Sequence, residues 1–595
     1  MKPNRVLKGS PMLFKRLFLA ALICLTLPTL AFAVLAPIRL DGDFADWAAL
    51  TPLLDDANDD TGLVDFGRVW VANDQDYLYI RFETEGDVQP DEQQDMRLYL
   101  DTDMNAGTGT SFGGIGADLV WEFGWRDGTY NGSNIAHDDI GLLVGPTVSS
   151  TDFEIAIARS LVAFGSDIRF ILYDADSADR APSTGSLGYT FAAGSDVPPS
   201  LALGRDDPDD LRFAAWNVQS DGLFNSSKEA AQGRLLDVMD PDILVVNEVW
   251  GHTAAEVRNV IAQHLPSGPG ENWYATGDDG GNVIVSRLPI LQSWEVNPGY
   301  RITAALLDLG PDEDTDLLVI ACHWRCCTAD NDRQNEADSI IGFLRDARTP
   351  GGVLDLPQDT PFILGGDLNL VGWRRQLETI LYGDILDEGT YGPDAAPDWD
   401  GGDFAQVLPR HPDGRAGYTW RNDGSSFYPG VLDYILFTDS MLDLKNNYVL
   451  ETRTMTAATR SAYGLGLYDT TDASDHAARV ADFSKSTIVS AVPDRGNAPL
   501  MARLLPNVPN PFNPSTRIRF EMDEPGQAEL AVYDARGHLV RRLDDGPRGA
   551  GPHSVTWDGT DRSGRQAASG VYYVRLVVRA AGETVRETRS IVLVE

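Results

Sequence analysis

Between about residues 209 and 483 the chain alternates apolar runs with amphipathic ones, and this alternation constrains its fold more than any other feature. LRFAAWNV reads as a strand and SSKEAAQGRLLDVM as a helix, and DILVVNEVW with TAAEVRNVIAQHL repeats the pair. NVIVSR, LLVIACHW, the helix RQNEADSIIGFLRDA, FILGGDLN, VLDYILF and ARVADF continue the series. Apolar strands spaced by helices predict a layered α/β domain, placed at 209–484.

The texture differs on either side. Residues 37–197 carry short alternating runs, YLYIRF, MRLYL, DLVWEF and DIRFILYD, separated by Gly/Asp/Asn clusters. Many short strands with turn signals predict an all-β sandwich. The Pro/Gly/Asp stretch GSDVPPSLALGRDDPDD marks a linker at 198–208, and a polar stretch at 485–505 reads as a second. The tail, 506–595, is strand and turn throughout and fits an immunoglobulin-like sandwich. At 595 residues the chain is too long for one core, so a multidomain α/β plus all-β protein is expected.

The first 33 residues stand apart. MLFKR is a basic start, LFLAALICLTLPTL an apolar stretch, and Ala31-Phe32-Ala33 a small-x-small cleavage site, which together predict a signal peptide whether translation begins at Met1 or Met12. No other segment approaches the ~20 apolar residues of a spanning helix. The chain has 89 acidic against 48 basic residues, a formal charge of −41, and the leader holds basic residues and no acidic ones. Such a surface repels nucleic acid and anionic lipid at long range, although a metal-bearing cleft can still take a phosphate. Of four cysteines, Cys322, Cys326 and Cys327 crowd into ACHWRCC. With His323 they offer a Cys-His-Cys-Cys zinc set whose spacing matches no common finger; a local disulfide or plain burial is the favoured reading, with at least one thiol left free or intermolecular.

Polar residues recur at the strand ends of the middle domain. They are Asn217, Glu248, His323, Asp367 with Asn369, Asp433, and Asp475 with His476. Asp367 and Asn369 are two apart, so an extended backbone points them the same way. Singly, each is a turn former or a hydrogen-bonded core residue; together they suit phosphoester hydrolysis. Glu248 and Asp475 are the natural ligands for a hard cation such as Mg²⁺ or Mn²⁺, with Asn217 as their neutral neighbour. Asp367 is placed to orient or deprotonate water, and Asn369 to hold a phosphate oxygen. A histidine paired with a carboxylate stays protonated, so Asp433 with His476 would stabilise the transition state. His323 would contact other oxygens or protonate the leaving group.

WNVQ, NEVW, NVIVSRLPI, ACHW, GGDLNL, YTW followed by LDYILF, and SDHAARV occur in this order. The set resembles the endonuclease/exonuclease/phosphatase superfamily, whose DNase I-like fold is a four-layered sandwich of two sheets flanked by helices. The resemblance implies a divalent-metal-dependent phosphoesterase using the eight residues named above. Two departures stand out. Asn247 replaces the Gln that many members carry before the ligand Glu, and the acidic residue expected before the Ser-Arg strand is represented by displaced Asp278 and Asp279, with Asn282 in the strand itself.

In the N-terminal region, DGDFADW, DTDMNAGTG, GADLVWEF and FEIAIARS resemble carbohydrate-binding module family 9-like domains, which implies a glycan or cell-surface ligand. Asp101, Asp103 and Asn105 alternate as in the opening of a Ca²⁺ loop, or as a turn tightened by Asx hydrogen bonds. Trp121 and Trp125 are sugar-stacking or core residues. PNVPNPFNPSTRIRFEM, HSVTWDGTDRSG and ASGVYYVRL resemble the Ig-like domain of flagellar hook-capping proteins, a signature shared with the type IX-like sorting domains of secreted bacterial proteins; it implies a link to secretion machinery. The expectation is a secreted or surface-attached bacterial phosphodiesterase, foremost a nuclease. The alternatives are a phospholipid or sugar-phosphate hydrolase, or an inactive glycan-binding protein.

Overall fold

The computed structural model describes residues 35–485 and 502–593, with interruptions at residues 37, 57–63, 90–94, 195–198, 269–270, 278–279, 312, 314, 353, 509–511, 513, 523–524, 535–538, 561–564, 568 and 581–582. The leader, Asp278, Asp279 and most of the 485–505 linker therefore lie outside the described residues.

In the N-terminal region the alternating runs pair into two sheets. Among the described residues one has five strands, in the order Leu54–Asp55, Phe66–Asn73, Tyr77–Val88, Ser150–Ala158 and Leu143–Gly145. The other has seven and is built around Asp167–Asp174, Met96–Asp101 and Leu119–Glu122. Alternation turns one set of side chains inward, and Phe66, Phe82, Phe153, Leu98, Trp121 and Phe170 fill the space between the sheets. Trp121 is thus a core residue, whereas Trp125 is 69% exposed.

The middle domain has two six-stranded sheets face to face. In the first, Leu211–Asn217 lies parallel to Ile243–Asn247, which pairs antiparallel with Asn282–Ser286. In the second, Leu317–His323 lies parallel to Phe362–Asp367, which pairs antiparallel with Asp433–Phe437. Phe213, Val245, Ile284, Val319, Ile363 and Ile435 close the gap between the sheets. Helices Glu229–Met239 and Ala254–His264 cover the first sheet through Leu235, Leu236, Val257 and Ile261. Helices Asp330–Ala347 and Arg374–Tyr382 cover the second through Ala337, Ile340, Leu344 and Ile380. The layers run α/β/β/α. Thr253 starts one helix with a reciprocal cap: its hydroxyl accepts from the Glu256 amide, and Glu256 accepts from the Thr253 amide.

The two glycines of GGDLN leave room that a side chain would close. A Cβ on Gly365 would stand 2.6 Å from Phe213 Cε1 on the facing sheet. Gly366 has φ +133°, and a Cβ there would meet the Cys322 carbonyl oxygen at 2.1 Å. Only glycine fits this backbone.

The sandwich and the middle domain form one compact unit. Thr147 Oγ1 donates to the Leu370 carbonyl at 2.9 Å, the Ser149 amide to the Gly372 carbonyl at 2.8 Å, and Trp121 Nε1 to the Tyr428 hydroxyl at 3.0 Å. Arg415 pairs with buried Asp74 across the same boundary. Residues from 490 onward form a separate unit. Its described strands make a three-stranded and a four-stranded sheet around Phe512, Phe520, Trp557 and Tyr572, the last two rings 5.1 Å apart. Among the described residues no helix is long and apolar enough to cross a membrane.

Candidate active site

Strand register assembles the polar strand ends. In the second sheet His323 pairs with Asp367, and Asp367 with Asp433, so three functional groups lie side by side across neighbouring strands. In the first sheet Asn217 pairs with Asn247, and Asn247 with Asn282. Glu248 and Asn369 then leave their strands in the left-handed region, with φ +64° and +47°. The backbone thus turns as soon as the strand has delivered its polar residue.

Asn217 ties the two sheets together. Its Nδ2 donates to Glu248 Oε1 at 3.2 Å and to Asp367 Oδ2 at 3.0 Å, while its Oδ1 accepts from the Gln219 amide. The sequence suggests a metal ligand here; in the structure its nitrogen bridges two carboxylates and its oxygen accepts one backbone hydrogen bond. Glu248 Oε2 accepts from the Ser220 amide at 2.6 Å. Asp367 Oδ1 accepts from the Asn369 amide at 2.9 Å, and Asn369 Nδ2 donates to the Trp324 carbonyl at 3.1 Å. Asn369 is therefore at the site, with its amide nitrogen anchored to the backbone.

The histidines flank Asp367. His476 Nδ1 is 2.9 Å from Asp433 Oδ2, and its Nε2 is 3.8 Å from Asp367 Oδ2. His323 Nε2 is 3.8 Å from the same Asp367 oxygen and 3.9 Å from Glu248 Oε1. Among the described residues His323 Nδ1 is buried without a hydrogen-bond partner. Their electrostatics are opposite. Burial disfavours the His476 imidazolium, but Asp433 and Asp367 outweigh it and push its pKa up to about 10. Burial, reinforced by Arg301, holds His323 well below the ordinary imidazole value. Burial also raises the Asp367 carboxyl to about 7 against the pull of His476. Charge and burial thus push the two histidines in opposite directions, with a raised carboxyl between them.

Glu248, Asp475, Asp367, Asn369, His323 and His476 line one open pocket of about 580 Å³. Asp475 Oδ2 accepts from Trp420 Nε1 at 3.2 Å. Both Glu248 and Asp475 act on the half-buried Lys228 ammonium, whose pKa desolvation lowers and these two carboxylates raise. Hard carboxylate oxygens in a solvent-accessible pocket fit a divalent cation that keeps part of its water. Glu248 and Asp475 would hold it, and when bound it neutralises phosphate charge. A second group stands beside it: ligand atoms of Asp367, Asp433 and His476 lie within 4.8 Å of one another, but there His476 Nδ1 is engaged by Asp433.

Residues 214–476 match the Endonuclease/Exonuclease/phosphatase family. The middle domain is an endonuclease/exonuclease/phosphatase domain. It is accordingly a metal-dependent phosphoric ester hydrolase that takes a phosphoester substrate. Residues 508–582 match the FlgD Ig-like domain; neither match reaches the N-terminal sandwich. Among solved structures, the chain is similar to beta toxin from Staphylococcus aureus, at 17% identity over 46% of this chain and 99% of that one, with a TM-score of 0.26. Sphingomyelinase C from Streptomyces griseocarneus is 18% identical over 46% and 99%, with a TM-score of 0.27. ANGEL2, a 2',3'-cyclic phosphatase, is 13% identical over 48% and 97%, with a TM-score of 0.31. No curated protein matches the chain.

Further residues shape the surroundings of the pocket, and of these Arg301, Trp250 and the sandwich wall have no signal in the sequence. Asn247 takes the place of the usual Gln and donates to Asn282 Oδ1 and to the Cys322 carbonyl, while its Oδ1 accepts from the Asp367 amide. Asn282 donates to the Arg301 carbonyl. Arg301 lies over the Trp250 ring, 5.1 Å from its centroid, and that ring is 5.5 Å from His323. Val144, Pro146 and Thr147 of the sandwich, with Phe427 and Tyr428, complete the pocket wall. Cys322 is buried, Cys326 and Cys327 are exposed, and no disulfide joins them.

Proposed function

We propose that this chain is an exported Mg²⁺-dependent phosphodiesterase that cleaves nucleic acid by in-line attack of water. The carrying observation is the Asp433–His476–Asp367–His323 row facing Glu248 in one pocket. Asp367 orients the attacking water and takes its proton, a task suited to a buried carboxyl near neutral pH. His476, held cationic by Asp433, donates to a non-bridging phosphate oxygen and meets the charge that builds there. His323 contacts the phosphate from the opposite side. Trp250 and Arg301 support the nucleic-acid reading, because an aromatic face beside a guanidinium stacks bases without regard to sequence. Glu248 and Asp475 hold the cation, with Mn²⁺ as a substitute.

A lipid or sugar phosphodiester is the second reading. Its support is the apolar wall of Val144, Pro146, Val371 and Leu432, together with a net charge of −41 that disfavours a long polyanion. The leader and the FlgD-like unit support export with retention at the bacterial surface through sorting machinery. The sandwich is read as the module that meets a glycan or other surface ligand. Chelator-stripped protein should be assayed on plasmid DNA, RNA, sphingomyelin and phosphorylated sugars, with and without added Mg²⁺. Cleavage of DNA or RNA alone supports the first reading, lipid or sugar turnover the second, and no turnover of any phosphoester favours a binding protein.

A further inference from the structure

The seven-stranded sheet of the sandwich holds a second acidic cluster, away from the catalytic pocket. Asp101 ends the strand Met96–Asp101, and Asp118 immediately precedes the strand Leu119–Glu122. Asp103 lies on the loop between them. Carboxylate oxygens of all three lie within 4.8 Å of one another. Asp118 Oδ2 accepts from the Thr102 amide and hydroxyl, both at 2.9 Å. Asp103 Oδ1 accepts from the Asn105 amide at 2.8 Å. Asp101 differs: it is 1% exposed, and neither oxygen is met at full hydrogen-bond geometry among the described residues. Burial, with Asp118 and Asp103 beside it, raises its carboxyl pKa, although the Met104 and Asn105 amides pull it down. None of the three forms an ion pair there either. A buried carboxylate with no countercharge and no well-formed hydrogen bond is disfavoured, and two like charges within reach deepen the cost.

We propose that Asp101, Asp103 and Asp118 bind one Ca²⁺ that clamps the 101–118 loop across two neighbouring strands. Asn105, the third residue of the sequence pattern, does not bring its side chain to the cluster as a free ligand. Its Oδ1 accepts from the Gly107 amide in an Asx turn, and Asp118 supplies the third carboxylate from the far end of the loop. An all-oxygen set with irregular, loop-borne geometry suits Ca²⁺, which takes six to eight oxygens, better than Mg²⁺, which demands an octahedron. Zn²⁺ would look for nitrogen or sulfur. The strand after Asp118 carries Trp121, which donates to Tyr428 at the catalytic pocket, so the clamp steadies the strand from which that bond is made.

The test uses the full chain, stripped with chelator, and reads Ca²⁺ binding by calorimetry and by thermal unfolding rather than by turnover. Wild type should bind Ca²⁺ with a dissociation constant at or below the millimolar range of extracellular modules and unfold at higher temperature when loaded. Asp101→Asn should raise the unfolding temperature of the stripped protein, because it removes a buried unpaired charge, and should abolish the response to Ca²⁺. Asp103→Asn, on the exposed loop, should leave the stripped protein unchanged and weaken Ca²⁺ at least tenfold, which keeps the test decisive if the buried variant misfolds. No binding up to several millimolar, or an equal response in wild type and Asp103→Asn, would overturn the proposal; the latter would place the ion elsewhere.

Discussion

His476 Nδ1 lies 2.9 Å from Asp433 Oδ2, inside the second sheet's polar edge, and this bond fixes which ring nitrogen faces Asp367. The pair is a charge device as much as a geometric one, since Asp433 keeps the imidazolium formed despite full burial. Asp433→Asn should leave the fold in place and lower kcat by roughly 10²–10⁴-fold, the range for loss of a positioned proton donor. Steady-state kinetics on bis(p-nitrophenyl) phosphate with Mg²⁺, beside a thermal unfolding scan, check this. A kcat within a few-fold of wild type would remove His476 from the reaction.

Tyr428 joins the sandwich to the catalytic pocket. Its hydroxyl accepts from Trp121 Nε1 and donates to the Phe123 carbonyl, both at 3.0 Å. Tyr428→Phe strands the buried Trp121 indole N–H, while the Phe123 carbonyl keeps the Arg126 amide, at a cost of about 1–3 kcal/mol. The expected outcome is a lower unfolding temperature and a raised KM, because the 421–431 segment also lines the pocket. An unchanged KM would mean that the sandwich wall does not touch substrate.

Gly365→Ala tests the close approach of the two sheets. The added methyl would lie 2.6 Å from Phe213, inside any tolerable contact. Overpacking of this kind costs about 1–3 kcal/mol. Because Asp367 ends the same strand, kcat should fall together with stability; denaturant unfolding and kinetics on the same sample check both.

Glu336 supplies a pH test away from the reacting groups. Burial pushes its carboxyl up to about 8, against the amide of Arg325 and the charges of Arg301 and Arg325, and its Oε1 is buried without a hydrogen-bond partner among the described residues. A carboxyl whose folded-state pKa is raised adds stability below its unfolded value, and that stability is lost as pH rises through the folded value. Wild type should therefore lose stability between about pH 4.5 and 8 relative to Glu336→Gln. The gap should reach up to a few kcal/mol and level off above pH 8. Denaturant unfolding of both proteins from pH 5 to 9 checks the sign.

The layers and the polar strand ends were legible because both follow from local pattern: Val/Ile/Leu runs against amphipathic helices, and Asp or Asn where a strand should stop. Register then does the rest, since pairing His323 with Asp367 and Asp367 with Asp433 follows once the strands are aligned. The role of Asn217 was not legible. Whether an amide presents its oxygen to a cation or its nitrogen to two carboxylates depends on groups 31 and 150 residues away. Nor could the text show that Pro146 and Tyr428 share a wall with Glu248, as no periodicity marks contacts between separate domains. Asp118 was missed for the same reason: it meets Asp101 only after the loop closes.

The most direct test of the central claim is hydrolysis of bis(p-nitrophenyl) phosphate by chelator-stripped protein, before and after Mg²⁺ is returned, in wild type and in the Asp367→Ala/His476→Ala double variant. The account predicts no turnover without metal, recovery in wild type, and none in the variant despite its cooperative unfolding. Turnover that survives chelation, or a double variant as active as wild type, would contradict it.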